Sequence, residues 1–263
     1  MSLTSSRPLS IVIMTYNEES NIERCLKSVA RLGDEVLILD SYSTDRTVEI
    51  ARKLGARVEQ YPFDSYADQR RRLIQLAKHD WILILDADEY LSEELKNSIS
   101  KESGNNSFDA FTSNRRNKIG TKWLNHGSWY PDKKIRMFDR RKISVAGYDI
   151  HETLVPISDV KIGHLTGDLM HHGDENIDAR FQKINRYSTR AADGLYKQDV
   201  RSSLLKILVK PLSRFISVYF FRLGFLDGYY GYVVAKSEAQ YVWLREVKLW
   251  EKWEEKKGEN GNR

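Results

Sequence analysis

The chain has 263 residues, 41% of them hydrophobic and 30% charged, with a formal net charge of +5. That is enough apolar material for one large α/β domain, or one domain with an appendage. The composition excludes an internal disulfide, because Cys25 is the single cysteine. It also excludes a spanning helix, since no stretch approaches the roughly 20 uncharged apolar residues that a bilayer requires. The mild positive excess suits nucleotide phosphates, nucleic acid or an anionic membrane surface, and does not choose among them.

Residues 1–8 lack an apolar signal core, so export is not expected. Ser10-Ile11-Val12-Ile13-Met14 is a short, wholly apolar run, as in a strand buried on both faces. Ser20-Asn21-Ile22-Glu23 reads as a capping box, followed by a helical stripe of Ile22, Cys25, Leu26 and Val29. A core position for Cys25 and the lack of a disulfide fit a reducing, cytoplasmic compartment. Residues 35–39 form the second buried strand. Thr44 is expected to cap the next helix, with Val48, Ala51 and Leu54 facing inward before Gly55 stops it. A third strand (57–61), a third helix (66–77) and a fourth strand (81–85) follow. The next helix is capped by Ser92, with Glu93 and Glu94 in its first turn. From about residue 108 the pattern loosens into short strands and loops. Residues 176–197 read as a helix, and 203–257 mix long apolar stretches with Lys and Arg before a charged helix carrying Trp243, Trp250 and Trp253.

Alternation of strand and helix predicts a mostly parallel, Rossmann-like sheet flanked by helices, with right-handed crossovers. Ligands on such sheets bind beyond the carboxyl ends of the strands. The residues to inspect are therefore Thr15-Tyr16-Asn17-Glu18, Asp40-Ser41 and Asp86-Ala87-Asp88-Glu89. Two carboxylates at i and i+2 beyond a strand can approach one Mg²⁺ or Mn²⁺ ion bridging a diphosphate; the same acidic loop also suits a helix cap. Asp40 has the chemistry to accept from a base or ribose and to cap the turn with Ser43 and Thr44, and the two roles are compatible. Among Arg70, Arg71 and Arg72, one arginine turned to the sheet edge suits phosphate.

Taken in order, Ser10 to Glu19, Asp40-Ser41-Tyr42-Ser43-Thr44-Asp45-Arg46-Thr47 and Leu85-Asp86-Ala87-Asp88-Glu89 resemble family 2 glycosyltransferases of the GT-A fold. Trp129-Tyr130-Pro131-Asp132, Lys134 to Phe138, Ile150-His151-Glu152, Leu169-Met170-His171 and Lys183 to Ser188 are similar to the branch holding lipopolysaccharide inner-core β-glucosyltransferases. The likeness runs from about residue 9 to 195, and the tail matches weakly.

This resemblance implies an inverting, metal-dependent transfer of a hexose, glucose from UDP-glucose, to a saccharide or glycolipid hydroxyl. Thr15, Tyr16, Asn17, Glu18, Asp40 and Ser43 would line the nucleoside pocket, and Arg70 would stand near the donor. Asp86 would contact ribose or metal, and Asp88 would ligate Mg²⁺ or Mn²⁺. His171 would complete the metal shell, with His172 as its rival. Glu152 is the implied general base, with His151 orienting it or touching phosphate; Trp129 and Tyr130 would contact the acceptor sugar. The sequence Gln69-Arg70-Arg71-Arg72-Leu73 departs from the family's common Ala-Arg-Asn pattern, which leaves the duty of Arg70 open.

The expected organisation is a GT-A domain over 1–200 and a helical, basic-amphipathic extension over 201–263. The extension suits a membrane surface, at the cytoplasmic face, or packing against the catalytic domain or a second subunit of a homo-oligomer. A nucleic-acid partner is not expected. A dinucleotide oxidoreductase is excluded, because Thr15-Tyr16-Asn17 is no glycine-rich turn. A phosphohydrolase would carry its acidic pair after the first strand rather than the fourth. The remaining alternative is a non-catalytic protein that binds nucleotide sugar or nucleic acid.

Overall fold

The computed structural model describes residues 7–147, 152–174 and 176–261. The chain forms two compact units: residues 1–116 with 132–171, and residues 117–131 with 172–263.

In the first unit, β1 (Leu9–Thr15) pairs in parallel with β2 (Glu35–Asp40) on one side and β4 (Trp81–Asp86) on the other. Next to β2, in parallel, lies β3 (Arg57–Gln60). Beyond β4 the sheet continues through β8 (Asp132–Asp139), β6 (Ala110–Ile119), β11 (Ile162–Asp174) and β5 (Glu89–Leu91). The β4–β8, β8–β6 and β11–β5 pairings are antiparallel. The α/β class is as expected, and the loosely patterned region after residue 108 supplies the antiparallel part. A small second sheet joins β9 (Ile143–Ala146) to β10 (Thr153–Pro156).

Both faces of the parallel strands are covered, which accounts for their unbroken apolar runs. Ile11, Ile13, Ile38, Leu83 and Leu85 pack with Ile22, Cys25 and Leu26 of α1 (Ile22–Ser28), Ala51 of α2 (Thr47–Lys53), and Leu95 and Ile99 of α4 (Glu93–Glu102). Val12, Leu37, Leu39, Ile82 and Ile84 pack with Ala67, Leu73 and Ile74 of α3 (Tyr66–Leu76). Ser65 caps α3 and Ser92 caps α4 through their hydroxyls, so the expected Ser92 cap is present.

Two expected caps are not. At α1 the Asn21 and Ile22 amides bond the Glu18 carbonyl at 2.9 Å, and no side chain caps the helix. Thr44 lies outside α2, and the Thr47 amide bonds Asp45 Oδ1 at 3.0 Å instead. In both cases the loop is shaped by contacts between strand ends, which override a local capping pattern. Leu54, expected inward, is exposed because α2 has already ended.

The second unit holds α5 (Ile177–Lys197), α6 (Leu204–Ile216), a π-helical turn (Ser217–Phe221), a 3-10 turn (Gly224–Asp227) and α7 (Gly228–Gly261). A short β7 (Lys122–Trp123) pairs with the end of β6. Ile119, Leu124 and Val234 make a small core with Trp129, Tyr230 and Val233 around it. Lys248 Nζ on α7 donates to Asn185 Oδ1 at 2.7 Å and Ser188 Oγ at 2.9 Å on α5. The division therefore differs from the expected break after residue 200: α5 packs along α7 and belongs with it.

Gly167 lies where β11 meets the start of α4, with φ at +86°. A Cβ there would stand 2.3 Å from the Leu95 amide nitrogen. Backbone strain and overlap together predict that Gly167→Ala destabilises the protein by roughly 2–5 kcal/mol, measurable by urea denaturation. An unchanged midpoint would contradict the close approach.

Candidate active site

Strand order β3-β2-β1-β4 reverses direction beside β1, so the topological switch point lies between β1 and β4. Their register sets Thr15 opposite Asp40, and Met14 opposite Asp86. The loops after β1 and β2 are tied together by polar contacts. The Asn17 amide donates to Ser43 Oγ at 2.8 Å, the Thr44 amide to Asn17 Oδ1 at 2.8 Å, and the Glu18 amide to Thr47 Oγ1 at 2.8 Å. Asn17 and Tyr42 adopt left-handed backbone, φ 53° and 62°. Asparagine tolerates that conformation; for tyrosine it is strain of the kind found at ligand sites. Tyr16 and Tyr42 are both exposed.

Asp40 is fully buried. Its carboxylate accepts from Ser43, through both the amide and the hydroxyl, and from Gln60 Nε2 at 2.9 Å. The capping contact is therefore present, with Ser43 and not Thr44 as the partner. Thr15 Oγ1 is buried and lacks a hydrogen-bond partner, which marks the end of β1 as a place where a ligand polar group would be satisfied.

At the end of β4, Asp86 Oδ1 accepts from Arg70 Nη2 at 3.1 Å, and Arg136 Nη1 stands 3.8 Å from Oδ2. Burial alone would raise the Asp86 pKa; Arg70, Arg136 and Arg115 overcome it and hold the group down at about 2. Arg70 also reaches Glu152, Nη2 to Oε1 at 3.5 Å, so one guanidinium joins both carboxylates. Of the three neighbouring arginines, Arg70 is the one turned to the strand ends. Arg71 pairs with Asp68, and Arg72 with Asp64.

His171 Nε2 lies 3.1 Å from Asp88 Oδ2. His172 instead meets the Trp123 ring edge-on, with centroids 5.3 Å apart. Successive strand residues point to opposite faces, and that separates the two histidines. His151 lies outside the described residues.

Three residues have no role assigned from the sequence, although Glu89 stands among the polar strand-end residues. Glu89 is fully buried beneath Asp86: its Oε2 accepts the Asp86 amide at 3.0 Å, and its Oε1 accepts from Arg136 Nη2 at 2.6 Å. Arg115 Nη1 lies 3.6 Å from the same oxygen, while its other nitrogens hold Asp132. Burial, then the neighbouring Asp86 charge, raises the Glu89 pKa against the pull of Arg136 and Arg115. A single arginine inside the apolar run Ile135-Arg136-Met137-Phe138 was the available signal.

Trp129 and Tyr130, expected at the acceptor, belong to the second unit. Trp129 Nε1 donates to Glu238 Oε1 at 3.0 Å, and Arg180 lies 4.5 Å from the ring centroid. Ser128 Oγ and Arg214 complete the shell of Glu238. The indole is engaged inside its own unit on one edge and one face.

Removing one partner of a buried ion pair costs about 3–5 kcal/mol, since the other charge is left uncompensated. Arg136→Met should lose that much stability by chemical denaturation. Adding Glu89→Leu should recover part of it, and strictly additive losses would contradict the pairing.

A family model described as Glycosyl transferase family 2 matches residues 10–157. The chain is 32% identical over 262 residues to an uncharacterized glycosyltransferase of Rickettsia bellii (strain RML369-C), covering 95% of this chain and 88% of that one. It is 27% identical to the lipopolysaccharide core biosynthesis glycosyltransferase LpsC of Rhizobium meliloti (strain 1021), covering 93% of each. Among solved structures, it resembles glucosyl-3-phosphoglycerate synthase from Mycobacterium tuberculosis in complex with Mn²⁺, UDP and glucosyl-3-phosphoglycerate. The TM-score is 0.36 and the identity 23%, over 43% of this chain and 44% of that one. Family model and relatives agree with the parallel strand ends described above: the chain belongs to glycosyl transferase family 2, and it is a glycosyltransferase.

Proposed function

We propose that this enzyme transfers a hexose, glucose from UDP-glucose, to a saccharide hydroxyl with inversion at the anomeric carbon. The observation that carries the reading is Arg70, whose guanidinium touches both Asp86 and Glu152 beside the Asp88–His171 pair. In this reading these contacts would join a donor site, a cation site and a base near the end of β4. The UDP-glucose donor rests on the motif resemblance. The acceptor class, a lipopolysaccharide core saccharide or similar surface glycan, rests on that resemblance and on the printed name of the Rhizobium relative. A buried, unpaired Cys25 fits the cytoplasm, where such a donor would be met.

In this reading Tyr16 offers its exposed face to the base, and the knitted loops of Asn17, Glu18 and Ser43 fix the walls of the pocket. Asp40 acts from beneath by holding Ser43. Among the described residues no group of three or more His, Cys, Asp or Glu side chains forms a metal cage. Asp88 and His171 nevertheless fit Mg²⁺ or Mn²⁺, because such ions are commonly held by one or two protein groups with substrate phosphates and water. When bound, the cation would neutralise charge on the diphosphate. Asp86, engaged by two arginines, is assigned to orienting Arg70.

Glu152 removes the proton of the acceptor hydroxyl as that oxygen bonds to the anomeric carbon. The bond from that carbon to the diphosphate oxygen breaks, its electron pair leaves with the diphosphate, and Arg70 stabilises the developing charge. The proton passes from Glu152 to water afterward. A merely sugar-nucleotide-binding protein would need no such carboxylate.

Thermal unfolding with UDP and UDP-sugars, with and without Mn²⁺, tests the donor site. Ligand at 100 times its Kd should add about 2.7 kcal/mol and raise Tm by several degrees. Asp88→Asn should abolish the metal-dependent part. Glu152→Gln should keep the shift while transfer falls on the order of 10²–10⁴-fold. If no nucleotide shifts Tm with any metal, and calorimetry agrees, the donor reading fails.

A further inference from the structure

We propose that α6 and the turns after it form a docking surface that lies in the headgroup–acyl boundary of an anionic bilayer. The inference stands on the second unit alone and does not rest on the donor site.

The observation is that α6 faces the wrong way for a helix in water. Leu204, Leu208, Leu212 and Ile216, four residues apart, make one ridge, with Leu205 and Val209 beside it. Leu204 is 66% exposed, Leu205 70% and Leu208 72%, and no residue of α6 is buried. The side turned to α7 carries Lys210, whose Nζ lies 2.7 Å from Glu246, Arg214, whose Nη2 lies 2.6 Å from Glu238, and Phe215, whose ring meets Tyr232 edge-on at 5.9 Å between centroids. An amphipathic helix on a soluble protein turns its apolar stripe inward. Here ion pairs and the Phe215–Tyr232 ring contact hold the helix in place and the leucines point out. The exposed apolar surface continues through Phe220, Phe221 (81% exposed), Leu223 and Phe225 to Tyr229 and Tyr232. Contiguous apolar surface of that extent marks an interaction site.

Charge selects the occupant. Between Asp199 and Asp227 the chain carries Arg201, Lys206, Lys210, Arg214 and Arg222 and no acidic residue. Lys210 and Arg214 are paired to α7. Among the described residues Lys206 and Arg222 have no carboxylate partner, so they remain for lipid phosphates. A two-fold contact between copies would set this acid-free segment against itself. The tyrosines at the start of α7 suit the polar boundary of a bilayer. Depth is limited: α6 has 13 residues, about 20 Å at 1.5 Å per residue. No described helix is long and apolar enough to cross a membrane. The surface lies on the bilayer with its leucine ridge in the acyl region.

The test is flotation of the full chain with phosphatidylcholine vesicles, with and without phosphatidylglycerol. Binding should require the anionic lipid and weaken as salt is raised. A Leu208→Ser/Phe221→Ser variant should lose on the order of tenfold or more in bound fraction, and Lys206→Glu/Arg222→Glu should lose the preference for anionic lipid. Leu54→Ser, exposed just past the end of α2, serves as control and should bind normally. Retained nucleotide-induced thermal shifts in the variants show that they fold. The proposal is overturned if the unaltered chain stays with the soluble fraction, or if the apolar variant floats equally well. It is also overturned if that variant instead turns a dimer into a monomer by light scattering, since the face would then belong to a second copy. Absence of any nucleotide response in the unaltered chain would fail the donor reading and leave this one standing.

Discussion

Glu89 is an acid with no access to water, lodged under the end of a parallel strand, and the candidate site is arranged around keeping it satisfied. Its two oxygens take the Asp86 amide, Arg136 and the approach of Arg115. Because the Asp86 amide is fixed from below, the turn through Asp86 and Asp88 is fixed as well. The guanidiniums that compensate Glu89 also set the field at the half-buried Asp86 and keep it ionised. An ionised Asp86 then holds Arg70, and Arg70 reaches Glu152. A chain of charge–charge contacts thus runs from a buried residue with no surface to the carboxylate assigned to the chemistry. Such a network is stable only when every member is paired.

On the other side of β1 the constraint is steric and polar. Asp40 is buried at the end of β2 and holds Ser43; Ser43 accepts the Asn17 amide, and Asn17 in turn accepts the Thr44 amide. Two loops that would otherwise move independently become one rim. The exposed rings of Tyr16 and Tyr42 flank it on a backbone that has little freedom left.

Much of this was legible in the sequence, for physical reasons that also mark where legibility stops. Strands covered on both faces leave continuous apolar runs, so β1, β2 and β4 were readable, and the strand-end rule pointed to Asp86, Asp88 and Asn17. The failures came where distant residues decide local structure. Ser20 and Thr44 fit capping patterns, but the β1 and β2 loops bond each other and start α1 and α2 elsewhere. Arg136 and Arg115 lie 47 and 26 positions from the acid they compensate (136 − 89 and 115 − 89), a pairing no periodicity reveals. His171 and His172 were equivalent on paper until strand register put the first opposite Glu89. In the tail, composition showed apolar and basic residues interleaved, whereas only the packing of α6 on α7 shows which of them face out.

Asp88 and His171 are proposed to mark the cation site beside an Arg70-bridged pair of carboxylates. Anomalous diffraction from crystals grown with UDP and Mn²⁺ tests this most directly. The expected result is an anomalous peak within coordination distance of Asp88, His171 and the diphosphate, with Arg70 still joining Asp86 and Glu152. A manganese peak held by other residues, or UDP bound with no peak near Asp88, would contradict it.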